Sequence, residues 1–151
     1  MTPVSLDRSR VAIMAAALAS ASVAVPVGAL AAKNTVKAPK SGTYTGPTAQ
    51  KRHVTVYISG KTVMLVGFDF KCQGTDGQTS LNDIKLKKTS KGYKFALKAH
   101  GSITFKDEQP DENGRVDVAG RFTRSGKRAA GYFRVRSNRC HTGAVEWTAQ
   151  R

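Results

Sequence analysis

Arg115-Val-Asp-Val-Ala-Gly-Arg-Phe-Thr-Arg124, followed by Ser125-Gly126 and then by Lys127-Arg-Ala-Ala-Gly-Tyr-Phe-Arg-Val-Arg136, is the stretch that decides the fold class. Val116, Val118 and Phe122 fall on one side of the first arm, with Gly120 between them. Gly131, Phe133 and Val135 fall on one side of the second. A period of two belongs to extended chain, where successive side chains point to opposite faces. Two such arms around a Ser-Gly turn spell an antiparallel hairpin.

The same texture extends in both directions. Toward the C-terminus, Ala144 to Gln150 places Val145, Trp147 and Ala149 inward. Toward the N-terminus, Ser102 to Lys106 carries Ile103 and Phe105 inward, behind a break at His100-Gly101. Before it, Ile84 and Leu86 alternate with Lys85 and Lys87, a Thr-Ser-Lys-Gly turn follows, and Tyr93, Phe95 and Leu97 alternate with Lys94, Ala96 and Lys98. The Gly-, Thr-, Asp- and Ser-rich run from Cys72 to about Asn82 reads as a loop. Thr62 to Lys71 is apolar enough for a central strand, with Gly67 as the expected bulge. Arg52 to Ser59 alternates through Val54, Val56 and Ile58, with Ser59-Gly60-Lys61 as a turn, and Thr43 to Thr45 reads as a short first strand. No sustained apolar stripe of helical period interrupts the series, and turn signals recur every eight to twelve residues or so. The expected fold is all-β and antiparallel, a sandwich or barrel of about eight to nine strands with one disulfide.

Ahead of this domain, Asp7-Arg8-Ser9-Arg10 precedes an uncharged Ala-, Val- and Leu-rich run from Val11 to Ala32 that ends in Pro26-Val-Gly-Ala29-Leu-Ala31-Ala32. A charged start, an apolar middle and small residues at the end make a secretory signal peptide, with cleavage expected after Ala31 or Ala32. An uncleaved anchor is the competing reading, because a run of this length can span about 30 Å of hydrocarbon. The organisation expected is a signal at 1–31, a flexible polar leader at 32–41 and one β domain at 42–151. The expected location is secreted or held in the cell envelope. The full chain carries 25 basic and ten acidic residues. Without Arg8, Arg10 and Asp7 the exported part keeps 23 against nine, a net charge of +14. Cys72 and Cys140 both lie in that part, and an even count in an oxidising compartment favours one intramolecular bridge. A metal site is weaker, since two isolated thiols lack paired C-x-x-C spacing.

Catalytic patterns are sparse. His53, His100 and His141 have no ligand spacing among them, no G-x-S-x-G is present, and Asp69, Asp76, Asp83, Asp117 and Glu146 are scattered. The acidic stretch Asp107 to Asn113 lacks the ligand alternation of a calcium loop and contains Pro110, so it reads as a solvated connection. No cofactor or metal is expected, and an enzyme with a site assembled from distant strands is the third-ranked reading.

The basic surface is the informative feature. With Tyr93, Phe95 and Leu97 inward, Lys94 and Lys98 point out, and Lys85 and Lys87 do the same on the partner strand. Arg121, Arg134 and Arg136 share an outer face with Tyr132. Like charges facing one another on a sheet are destabilising, which points to an anionic counterpart. The first expectation is therefore a non-enzymatic cationic binding module for an anionic polysaccharide, a wall polymer or extracellular nucleic acid. The second is a protein-interaction or structural component of the envelope.

Two motifs carry a resemblance. Gly42-Thr-Tyr44-Thr-Gly46-Pro-Thr48 and Asn138-Arg-Cys140-His-Thr-Gly143-Ala-Val145-Glu-Trp147-Thr-Ala149, with the hairpin Gly120-Arg-Phe122-Thr-Arg-Ser-Gly126 between them, are similar to motifs of small secreted bacterial β-rich domains. Those domains open near G-x-Y-x-G and close near C-x-[ST]-G-x-[VI]-x-W-x-A, and their function is uncharacterised. The likeness covers most of residues 42 to 150 and transfers no catalytic or binding residue. It implies that Cys140 pairs with an earlier cysteine, here Cys72. His141 stands where those domains commonly have an acid.

Overall fold

The alternating segments fold into nine strands: β1 (Gly42–Pro47), β2 (His53–Ser59), β3 (Thr62–Cys72), β4 (Thr75–Lys85), β5 (Lys87–Thr89), β6 (Gly92–Phe105), β7 (Asp111–Phe122), β8 (Arg128–Arg136) and β9 (Val145–Gln150). The computed structural model describes residues 35–106 and 108–151, so the expected signal peptide, its cleavage site and Asp107 lie outside the described residues. Among the described residues there is no helix.

Neighbours in sequence other than β4 and β5 pair antiparallel, and the order β4-β3-β2-β1-β9-β8-β7-β6-β5 is closed on itself by pairing of β4 with β6. The choice between sandwich and barrel is thus resolved as a closed eight-stranded antiparallel barrel, with β5 as an extra strand on β6. The closing seam is short: Gly77, Gln78 and Thr79 face Phe105, Thr104 and Ile103. On the other side, Thr45 faces Gln150 and Thr48 bridges Trp147.

Eight strands leave an interior that side chains can fill, and here aromatic rings fill it. Phe68 stacks on Phe133 with centroids 4.3 Å apart, and Phe95 is inclined by 30° to Trp147 with centroids 6.2 Å apart. Phe95, Gly120, Gly131 and Trp147 are register partners on four successive strands. A Cβ on Gly120 would come within 2.5 Å of the Phe95 ring and 2.7 Å of Trp147. The glycine is therefore the space into which two large rings fit.

Three local readings are corrected. The expected loop from Cys72 to Asn82 is mostly β4, reached by a turn at Gln73-Gly74. Inward Gly77 leaves room for the Phe70 and Phe105 rings, since a Cβ there would stand 2.7 Å from the Phe70 ring, and inward Thr79 donates its hydroxyl to Ser102 O at 3.0 Å, so that of the buried residues of this strand only Leu81 and Ile84 are apolar. The bulge in β3 is at Met64, not Gly67: Tyr57 and Ile58 pair with Leu65 and Val63, leaving Met64 unpaired and turned outward, while Gly67 pairs regularly with Thr55. The expected break at His100-Gly101 is absent, because both residues pair regularly within one continuous strand, β6, and the register shifts only between Gly101 and Ile103.

Cys72, at the end of β3, is bonded to Cys140 in the β8–β9 connection, with their Cα atoms 5.7 Å apart. Residues 35–40 have no regular secondary structure and lie along the barrel: Lys37 N donates to Arg124 O at 2.9 Å, and Pro39 is buried. The buried Tyr44 hydroxyl donates to Gly126 O at 2.8 Å, with Lys40 O also within reach at 3.0 Å. The first motif of the chain is thereby fastened to the Ser-Gly turn of the late hairpin.

Candidate cationic binding face

Antiparallel register converts the outward residues of β5 to β9 into rows that run across the strands. In the first row Lys87 faces Lys94, Lys94 faces Arg121, Arg121 faces Ala130 and Ala130 faces Thr148. The second is Ala96, Ala119, Tyr132 and Glu146; the third is Lys98, Asp117 and Arg134; the fourth is His100, Arg115 and Arg136. Strands lie about 4.7–4.9 Å apart, and alternate residues along a strand about 6.6 Å apart. The two basic faces expected from sequence are therefore one wall, joined where β6 pairs with β7.

The wall is hollowed where its residues are small. A depression of about 790 Å³ is floored by Ala96, Ala119, Ala130 and Gly131 and rimmed by Lys85, Lys87, Lys94, Arg121, Tyr132 and Glu146. A second, of about 810 Å³, shares Arg121, Ala130 and Thr148 with it and adds Lys91, Arg124 and Arg128. Seven cations and a single carboxylate, Glu146, thus border two adjoining depressions that form a trough along the wall. The ion pairs among the described residues, Arg52 with Asp76 and Arg139 with Glu108, lie elsewhere.

Not every expected residue lines the trough. Lys98 stands two rows from Lys94, opposite Asp117. Arg134 packs its guanidinium 5.3 Å from the centre of the Tyr132 ring, and Arg136 pairs with Arg115 on one side and bridges His141 on the other. Lys91, Arg124 and Arg128 flank turns, where strand alternation assigns no face, and they join the wall with Arg115 only in the fold. In the sequence Asp117 is one scattered acid among several. Alternation with Val116 and Val118 places Asp117 outward; its cationic neighbours emerge only from the register.

On the opposite side, His53, Asp69 and Asp76 border an open depression of about 490 Å³ in which Arg52 holds Asp76. Among the described residues no three His, Cys, Asp or Glu side chains are grouped closely enough to hold a metal ion.

Comparison with models of protein families, with curated proteins and with solved structures finds no match to this chain.

Proposed function

We propose that the chain is an exported, non-enzymatic binding module whose β5–β8 wall holds an anionic polymer of the cell envelope or its surroundings. One observation carries this reading. Lys87, Lys94 and Arg121 face one another on three successive strands, with no ion pair to any of them among the described residues. Each like-charged pair directly opposed on a sheet is destabilising. A row of negative charges laid along the trough removes that repulsion and releases its own counterions, so affinity comes from charge and falls with salt. The disulfide and the apolar N-terminal run support an extracytoplasmic setting.

The test is retention on immobilised heparin and solution affinity for the same polymer over a range of salt. The wild-type protein should lose affinity steeply as salt rises. Replacing Lys87, Lys94 and Arg121 with Gln should flatten the log–log salt slope by about 2–3, since each neutralised contact contributes about 0.7–0.9. Binding that ignores salt, or a variant that binds as the wild type does, overturns the proposal. Capture by cell-wall extract that survives high salt would point instead to a protein-interaction role.

A further inference from the structure

One row beyond Tyr132 the wall has a smaller hollow, about 290 Å³, lined by Lys98, His100, Arg115, Asp117 and Arg136. Asp117 is its odd member. The side chain leaves the barrel between inward Val116 and Val118, yet it is only 9% exposed. Its Oδ1 is enclosed and has no hydrogen-bond partner, although Lys98 and Arg134 are its register neighbours on either side. An enclosed carboxylate oxygen without a donor is expensive, because it has given up water and received nothing in exchange. The strands fix the Asp117 backbone; the parts that can move are the long Lys and Arg side chains around it.

A ligand with negative charge alone suits Lys98, Arg115 and Arg136 but is repelled by Asp117. A ligand that pairs an anionic group with hydroxyl hydrogens suits both, the anion meeting the cations and a hydroxyl donating to Asp117. Tyr132, 37% exposed and braced by Arg134, offers a flat apolar surface beside them. Tyr132 is also the one large exposed apolar side chain on this wall, whereas single-stranded nucleic acid is held by several stacking aromatics. From the buried, donor-less Asp117 among cations and the exposed Tyr132 next to it, we infer that the polymer is an acidic polysaccharide, with Asp117 accepting from a sugar hydroxyl and Tyr132 supporting the ring. This rests on the cationic-face reading above and narrows it to one ligand class.

The experiment measures affinity of the full exported protein for polygalacturonate, which has carboxylates and hydroxyls; for polyacrylate, which has carboxylates only; and for oligothymidylate. Asp117→Ala should weaken polygalacturonate binding about tenfold while leaving polyacrylate and oligothymidylate unchanged or tighter, because a negative charge has been removed. Tyr132→Ala, on the outer wall, should weaken polygalacturonate selectively and serves if Asp117→Ala fails to fold. Asp117→Ala tightening all three ligands, Tyr132→Ala affecting all equally, or wild-type preference for oligothymidylate overturns this inference and leaves the electrostatic proposal standing. If the variant carrying Gln at Lys87, Lys94 and Arg121 binds every polymer as the wild type does, the electrostatic proposal itself falls.

Discussion

Lys94 faces Lys87 on one side and Arg121 on the other, so Lys94→Gln should stabilise the protein while weakening its binding. Two opposed like-charge pairs are relieved, each worth up to about 0.8 kcal/mol for unit charges about 5 Å apart in water. Lys94 is exposed, and solvent screening brings the sum to about 0.5–1 kcal/mol. For a domain of this size that raises Tm by about 2–4 °C. The gain should be fullest at about 0.01 M salt, where the screening length is about 30 Å, and vanish near 1 M, where it is about 3 Å. Lys98→Gln is the internal control, because Lys98 faces Asp117: the same chemical change there removes an attraction and should lower Tm slightly or leave it unmoved. Thermal and urea denaturation of the three proteins at both salt concentrations measures this directly. A Lys94→Gln variant less stable than wild type at low salt, or a gain that persists at high salt, refutes the premise that the row is held together against its own repulsion.

Reduction of the Cys72–Cys140 bond, or its replacement by serines, should lower stability by about 2–4 kcal/mol, read as a fall in the urea midpoint, because the bridge ties β3 to the β8–β9 connection across a separation of 68 residues. Gly120→Ala should cost about 1–3 kcal/mol and alter the Trp147 fluorescence, since the new methyl group enters the space held by the Phe95 and Trp147 rings. Burial raises the Tyr44 pKa above its usual value of 10.0, against a smaller lowering effect from the Arg151 charge. The unfolded chain therefore gives up this proton first, and the stability contributed by neutral Tyr44 is full below about pH 10 and lost as pH rises through the folded value. Tyr44→Phe should flatten that alkaline decline in a Tm-against-pH profile while costing about 0.5–1.5 kcal/mol at neutral pH through the lost hydrogen bond to Gly126 O.

Much of the barrel is legible in the sequence where one face of a strand is apolar. β2, β7, β8 and β9 follow from the alternation of Val54-Val56-Ile58, Val116-Val118, Phe133-Val135 and Val145-Trp147. β4 is not legible that way. Gly77 occupies an inward position that the Phe70 ring leaves too small for a side chain, and Thr79 is inward with its hydroxyl bonded to Ser102 O, so a buried strand has the composition of a loop. Closure depends on three residue pairs between β4 and β6 and on a short β1–β9 seam, contacts between segments whose periodicity says nothing about partners. The cationic face divides similarly. Lys85, Lys87, Lys94 and Arg121 point outward by alternation alone, but that Lys94 faces Arg121 and that Asp117 lies between Lys98 and Arg134 are facts of register.

The most direct test is residue-level mapping by amide chemical shifts of the protein titrated with polygalacturonate at low salt. The account predicts perturbations concentrated on the outer residues of β5 to β8, among them Lys87, Lys94, Ala119, Arg121 and Tyr132, and reversed by added salt. Perturbations centred on the opposite wall around His53 and Asp69, or spread without a centre over the basic surface, would contradict it.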